Sequence, residues 1–181
     1  MPKLAALTRQ EAPAENQPVF DQLKQAIGMV PNLYATYAHS PVALKALLQF
    51  DETLKGGSFT NREVEAIALA IAEANACEYC LAAHTAIGKM NGFTEEQTIE
   101  LRTLSSSDEK LLALTSLVQS ITITRGRPEE TLIEAFYSAG YDKAALVELL
   151  GFVAVNTYNN YLNNIAGTVV DFPAAPALAT V

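Results

Sequence analysis

Signals that start and stop helices recur along this chain at intervals of about a dozen residues, and they leave little room for any other kind of structure. Ser40-Pro41 reads as an N-cap followed by proline at the first helical position, where the missing N–H would have been unpaired anyway. Thr60 and Glu63 form a capping box, each able to satisfy the other's backbone donor. Thr94 with Gln97 and Ser106 with Glu109 repeat that pattern, and Asp142 caps the longest apolar run, which ends at Gly167. Gly28, Gly56-Gly57, Gly92 and Gly140 mark the stops.

Between these signals the spacing predicts helices over about 18–27, 32–38, 41–55 and 61–75, then from Cys77 to Asn91 after a break at Asn75-Ala76. Further helices start at Thr94, near Ser106, at Pro128 and at Asp142. Only Thr168–Phe172 hints at a strand. The expectation is an all-α fold in a single domain over 1–181, with a core over about 18–170. The Pro- and Ala-rich tail, 171–181, is expected to lie extended on a surface.

A chain of 181 residues can bury roughly 70% of the surface it exposes when unfolded, so it needs no disulfide or metal to hold a core. Half of its residues are hydrophobic. The net charge of −8, without a basic stripe, argues against nucleic acid and anionic membranes as partners. The first twenty residues lack the apolar core of an export signal, and no stretch is long enough to span a bilayer. A reducing cytoplasm is therefore the expected location. There, a closely spaced cysteine pair more often does chemistry or binds metal than staples the fold.

The only cysteines are Cys77 and Cys80, and His84 follows at a spacing of four. On a helix, positions three, four and seven apart share one face, so both sulfurs and the imidazole point the same way. The break at Asn75-Ala76 puts the cysteines in the first turn, where unpaired N–H groups and the positive end of the helix dipole stabilise an anion. Only a thiolate attacks a peroxide. Lowering a thiol from pKa about 8.5 to about 6.5 raises its thiolate fraction at pH 7 from roughly 3% to roughly 75%. His84 can act as base or imidazolium, and Glu65 on the preceding helix could orient it or pass its proton on. An ordinary buried ion-pair glutamate is the other reading of Glu65.

The run Glu65…Cys77-x-x-Cys80-x-x-x-His84, with its flanks EANACEYCLAAHTAIGKMNGFTEE, resembles the AhpD-like alkylhydroperoxidases of the carboxymuconolactone decarboxylase family. The tail segment NTYNNYLNNIAGTVVDFP is similar to a peroxidase-related branch. The resemblance implies an all-α AhpD-like fold, a homo-oligomer (trimer or hexamer), and thiol-dependent peroxidase activity with no cofactor. By position it makes Cys80 the sulfur that attacks the hydroperoxide substrate, Cys77 its resolving partner, and His84 with Glu65 the proton relay. A dithiol reductant or redox adaptor protein would close the cycle.

Two positions depart from the family pattern. Tyr79 stands where some members carry histidine just before the second cysteine, and it could donate a hydrogen bond but not shuttle protons easily. Asn164 stands where relatives often have histidine.

Rival readings give Cys77, Cys80, His84 and Glu65 to a structural zinc ion, or make the protein a non-enzymatic redox sensor or a lactone decarboxylase. Several simpler assignments complete the reading. His39 reads as a solvated loop residue, AIALAIA as core, and the patch Asn156, Asn159, Asn160, Asn163 and Asn164 as an inter-helix or intersubunit hydrogen-bond face, with ligand binding second.

Overall fold

The computed structural model describes residues 3–178. Among them lie nine α-helices: α1 Gln17–Ile27, α2 Asn32–Tyr37, α3 Pro41–Lys55, α4 Asn61–Ala74, α5 Glu78–Met90, α6 Glu95–Thr103, α7 Glu109–Thr124, α8 Glu130–Ser138 and α9 Lys143–Ala166. No strand occurs among the described residues, so the architecture is all-α. No helix there is long and apolar enough to cross a membrane.

Most boundaries follow from the caps. Ser40 Oγ accepts from the Ala43 amide, and both halves of the Thr60–Glu63 and Thr94–Gln97 boxes are made. Two starts after α5 differ from the sequence reading. The cap of α7 is Asp108, whose carboxylate accepts from Lys110 and Leu111, while Ser106 accepts from the Asp108 amide. A carboxylate offers more acceptor sites than a hydroxyl and complements the positive helix end, so Asp108 takes the position. Helix α8 starts at Glu130 rather than Pro128, because Glu129 stays extended.

Helix α4 is the axis of the molecule. Every residue from Glu63 to Ala72 is buried, and α5, α6, α7 and α9 all pack on it. The AIALAIA run is thus core, as its composition suggested. Small alanines alternate with Ile67, Leu69 and Ile71, each fully buried; the alanines let neighbouring helices approach, and each large aliphatic contributes about 1.5–3 kcal/mol by leaving water. Gly151 does the same service between α3 and α9, where an added Cβ would lie 2.8 Å from the Leu54 side chain.

The core also reaches back to Ala12, beyond the expected start near residue 18. His39 is exposed, but its Nε2 meets the Ala5 carbonyl at 2.9 Å and ties the N-terminal segment to the α2–α3 turn.

After α9 the chain is irregular. Residues 168–172 form no strand, and their polar groups bond to α2 instead: Asn32 N donates to Asp171 Oδ2 at 2.7 Å and Asn32 Nδ2 to the Val169 carbonyl at 2.9 Å. Further along, Arg102 Nη1 donates to the Pro176 carbonyl at 2.7 Å. Residues 179–181 of the expected tail lie outside the described residues.

Candidate functional site

The turn between α4 and α5 builds the site. Asn75 ends α4, and Ala76 takes a left-handed conformation at φ 48°. The Ala76 amide then donates to the Glu73 carbonyl, and that of Cys77 to Ala72. This is the paired closure usually made with glycine. It reverses the chain so that α5 starts at once, with Cys77 as its N-cap and Cys80 three residues on.

The expectation put both cysteines within the first turn; Cys77 instead stands at its threshold, where Cys77 Sγ accepts from the Cys80 amide at 3.3 Å. The two sulfurs are joined as a disulfide, with their Cα atoms 5.3 Å apart. Both cysteines are buried, 0% and 3% exposed.

One turn beyond Cys80, His84 Nδ1 lies 2.8 Å from Glu65 Oε2 of α4. Glu65 is almost wholly buried, and the His84 side chain keeps 23% of its surface. The pair therefore links the interior to solvent. The Glu65–His84 contact spans 19 residues and depends on the reversal at Ala76.

Tyr79 does not donate into this group. Its hydroxyl accepts from the Leu33 amide at 3.2 Å, and its ring meets Phe172 edge-on at 5.9 Å. Burial, with Asp171 adding in the same direction, raises its pKa above the usual phenol range, so it stays protonated. It joins α5 to α2 and the tail.

The asparagine patch is an inter-helix face. Asn75 Nδ2 donates to Asn160 Oδ1, Asn164 Nδ2 to the Asn75 carbonyl, and Asn159 accepts from the Tyr37 hydroxyl. Asn156 is the exception, bonding back to the Phe152 carbonyl of its own helix. Asn163 reaches the sulfurs, with Nδ2 3.3 Å from Cys80 Sγ and 4.0 Å from Cys77 Sγ. Nothing in the spacing linked Asn163 to a cysteine 83 residues away; only its place in an unusual run of amides marked it.

A cavity of about 230 Å³ is lined by Ala76, Tyr79, Asn163 and Thr168 among others. A larger cleft, about 470 Å³, runs between Leu81, Ala82 and the tail residues Val170, Phe172 and Ala175, with Arg102 and Glu73 at one side. Arg102 is buried and held by Glu73 Oε2 at 2.8 Å. Among the described residues no group of three or more His, Cys, Asp or Glu side chains is arranged to hold a metal ion.

The profile of the carboxymuconolactone decarboxylase family matches residues 41–119, from the start of α3 into α7. A comparison with curated proteins finds no match. Among solved structures, the AhpD core of an uncharacterized peroxidase-related protein from Ralstonia eutropha JMP134 is similar with a TM-score of 0.81 at 21% identity, over 93% of each chain. An uncharacterized peroxidase-related protein from Silicibacter sp. TM1040 gives 0.79 at 22%, over 92% of each. The debrominase Bmp8 gives 0.78 at 19%, over 93% of this chain and 91% of its own. At these identities the structural likeness is one of fold. The CxxC segment thus lies within the stretch that matches the carboxymuconolactone decarboxylase family profile, and the all-α fold is similar to that of AhpD-like peroxidase-related proteins along the rest of the chain.

Proposed function

We propose that the protein is a thiol-dependent peroxidase that reduces hydroperoxides with Cys80 and Cys77, assisted by His84 and Glu65. The observation that carries this reading is the bonded cysteine pair at the start of α5, one turn before an imidazole backed by a buried carboxylate. In the reduced form, the Cys80 thiolate attacks the terminal oxygen of ROOH. An S–O bond forms, the O–O bond breaks, and the departing alkoxide takes a proton from His84 to leave as ROH. The Cys77 thiol then attacks the Cys80 sulfenic acid, closing the disulfide and releasing water. An external dithiol returns two electrons and two protons, and becomes a disulfide itself.

Glu65 holds the His84 ring, and the partial exposure of His84 gives its proton a route back to solvent. The apolar wall of Leu81, Val170 and Phe172 suits an alkyl hydroperoxide. Exposed apolar side chains on α9, Tyr158, Tyr161 and Ile165, support self-association, which sedimentation would measure.

The test is intact mass with free thiols alkylated, before and after one equivalent of an alkyl hydroperoxide. The expected result is loss of both alkylation sites, restored by a dithiol reductant, and no peroxide consumption by C80S. C77S should stop at the sulfenic acid. Thiols left untouched by peroxide would overturn the reading. Because the debrominase Bmp8 shares the fold, a brominated pyrrole serves as the control substrate, with no bromide release expected.

A further inference from the structure

One buried amide has no part in the cycle above. Asn163, 4% exposed on the last turn of α9, directs its Nδ2 at Cys80 Sγ, 3.3 Å away. A disulfide or thiolate sulfur carries lone pairs and no proton, so the NH₂ end of the amide is the end that belongs there. Its Oδ1 is buried without a partner. An orphaned acceptor costs desolvation free energy, and an apolar side chain of similar shape would avoid that cost. The neighbouring amides behave differently. Asn160 and Asn164 fasten α9 to Asn75 at the α4–α5 turn, which fixes Asn163 against the sulfurs.

The two sulfurs are not equally served by the rest of the fold. Cys77 Sγ is the N-cap acceptor of α5 and takes the Cys80 backbone N–H. Left to the helix alone, Cys77 would be the better stabilised thiolate. The titratable groups that α4, α5 and the tail bring to this region are Glu65, Glu73, Glu78, Tyr79, His84 and Asp171, four of them carboxylates that oppose a second anion. From Asn156 to Ala166, α9 contributes no acid or base other than Tyr158 and Tyr161. Its contribution at the sulfurs is the Asn163 amide.

We propose that Asn163 selects Cys80 as the reactive sulfur by donating its amide N–H to the Cys80 thiolate when the disulfide is reduced. The inference rests on the peroxidase reading only for naming Cys80 as the attacking sulfur; the thiolate stabilisation stands without it. A hydrogen bond to the charged form, made in a dry site, lowers a pKa, so removing the donor must raise it.

The experiment follows alkylation rate against pH, with the ultraviolet absorbance of the thiolate as a second reading, in a C77S background where Cys80 is the only thiol. N163A should move the Cys80 midpoint up by about one pH unit and slow alkylation at pH 7 by about 3–10-fold. N163D keeps the shape, sets a carboxylate against the sulfur, and should move the midpoint further. N159A, which loses only the Tyr37 bond, should leave it in place. In the C80S background N163A should move Cys77 far less. If N163A does not fold by circular dichroism, N163S takes its place. A Cys80 midpoint unchanged in both the truncated and the N163D variants overturns the proposal, and so does an equal shift of both cysteines. Peroxide enters none of these readings. A protein that ignores peroxide yet shows the shift would overturn the peroxidase reading alone.

Discussion

Glu63 and Glu65 stand two residues apart on α4, each about 6% exposed, yet their carboxylates lie in environments of opposite character. Glu63 is saturated. It accepts from the Thr60 amide and hydroxyl, from the Tyr141 hydroxyl at 2.7 Å, and from Lys110 Nζ at 2.9 Å. Burial, the largest single influence, would raise its pKa; Lys110, Thr60 and Tyr141 together outweigh it and hold the carboxyl at about 2. Glu65 has one side-chain partner, the ionisable imidazole of His84. A carboxylate with every lone pair occupied braces the scaffold. One with a single titratable partner can respond when that partner changes charge. Burial alone does not separate the two roles; the number and kind of partners does.

Breaking the braced glutamate should have the larger effect on stability. E63A removes the Glu63 half of the α4 capping box and leaves the buried Tyr141 hydroxyl without its acceptor, an expected loss of about 2–3 kcal/mol in urea unfolding. E65Q should cost less than about 1 kcal/mol in the same measurement, while turnover with an alkyl hydroperoxide falls by about 10–100-fold. Comparable stability losses in E63A and E65Q would erase the distinction.

Acid sharpens the comparison further. The Glu63 carboxyl has a depressed pKa in the folded state, so its stabilisation is full above its ordinary value near 4.5 and is lost as pH falls toward about 2. Melting temperatures measured from pH 5 to pH 2 should fall, with about 1–2 kcal/mol of that loss absent in E63Q. The smallest effect concerns the turn that returns His84 to Glu65. Ala76 is left-handed without being glycine, so A76G should stabilise by about 0.5 kcal/mol, relief of the Cβ clash being partly offset by added unfolded-state entropy. A lower melting temperature in A76G would mean that the turn carries no such strain.

Much of this molecule was legible because the information is local. The capping boxes at Thr60 and Thr94 and the cap at Asp142 use side chains within three residues of the backbone they satisfy, the stop at Gly92 uses a left-handed backbone, and all appear in the structure. At Ser106-Ser107-Asp108 the local code was ambiguous, since two residue types there can cap and the path of the chain chose between them. At Thr168–Phe172 β-propensity had no strand to pair with among the described residues, and contacts to α2 prevailed. Tyr79 followed the same rule: packing rather than catalysis was the expected role, but its partners, Leu33 and Phe172, are remote in sequence, so which elements it joins could not be read from its place beside Cys80.

The sequence by itself determined the helices, their order, and the placing of Cys77, Cys80 and His84 on one helical face, because each depends on spacing within a turn or two. Tertiary structure alone decided that Glu65 meets His84 across a left-handed alanine, and that the amide on Cys80 is Asn163 rather than a neighbour in the same run. Those contacts join residues 19 and 83 positions apart. Helical periodicity loses its phase at the first break, and beyond it only the packing of α4, α5 and α9 sets which side chains meet.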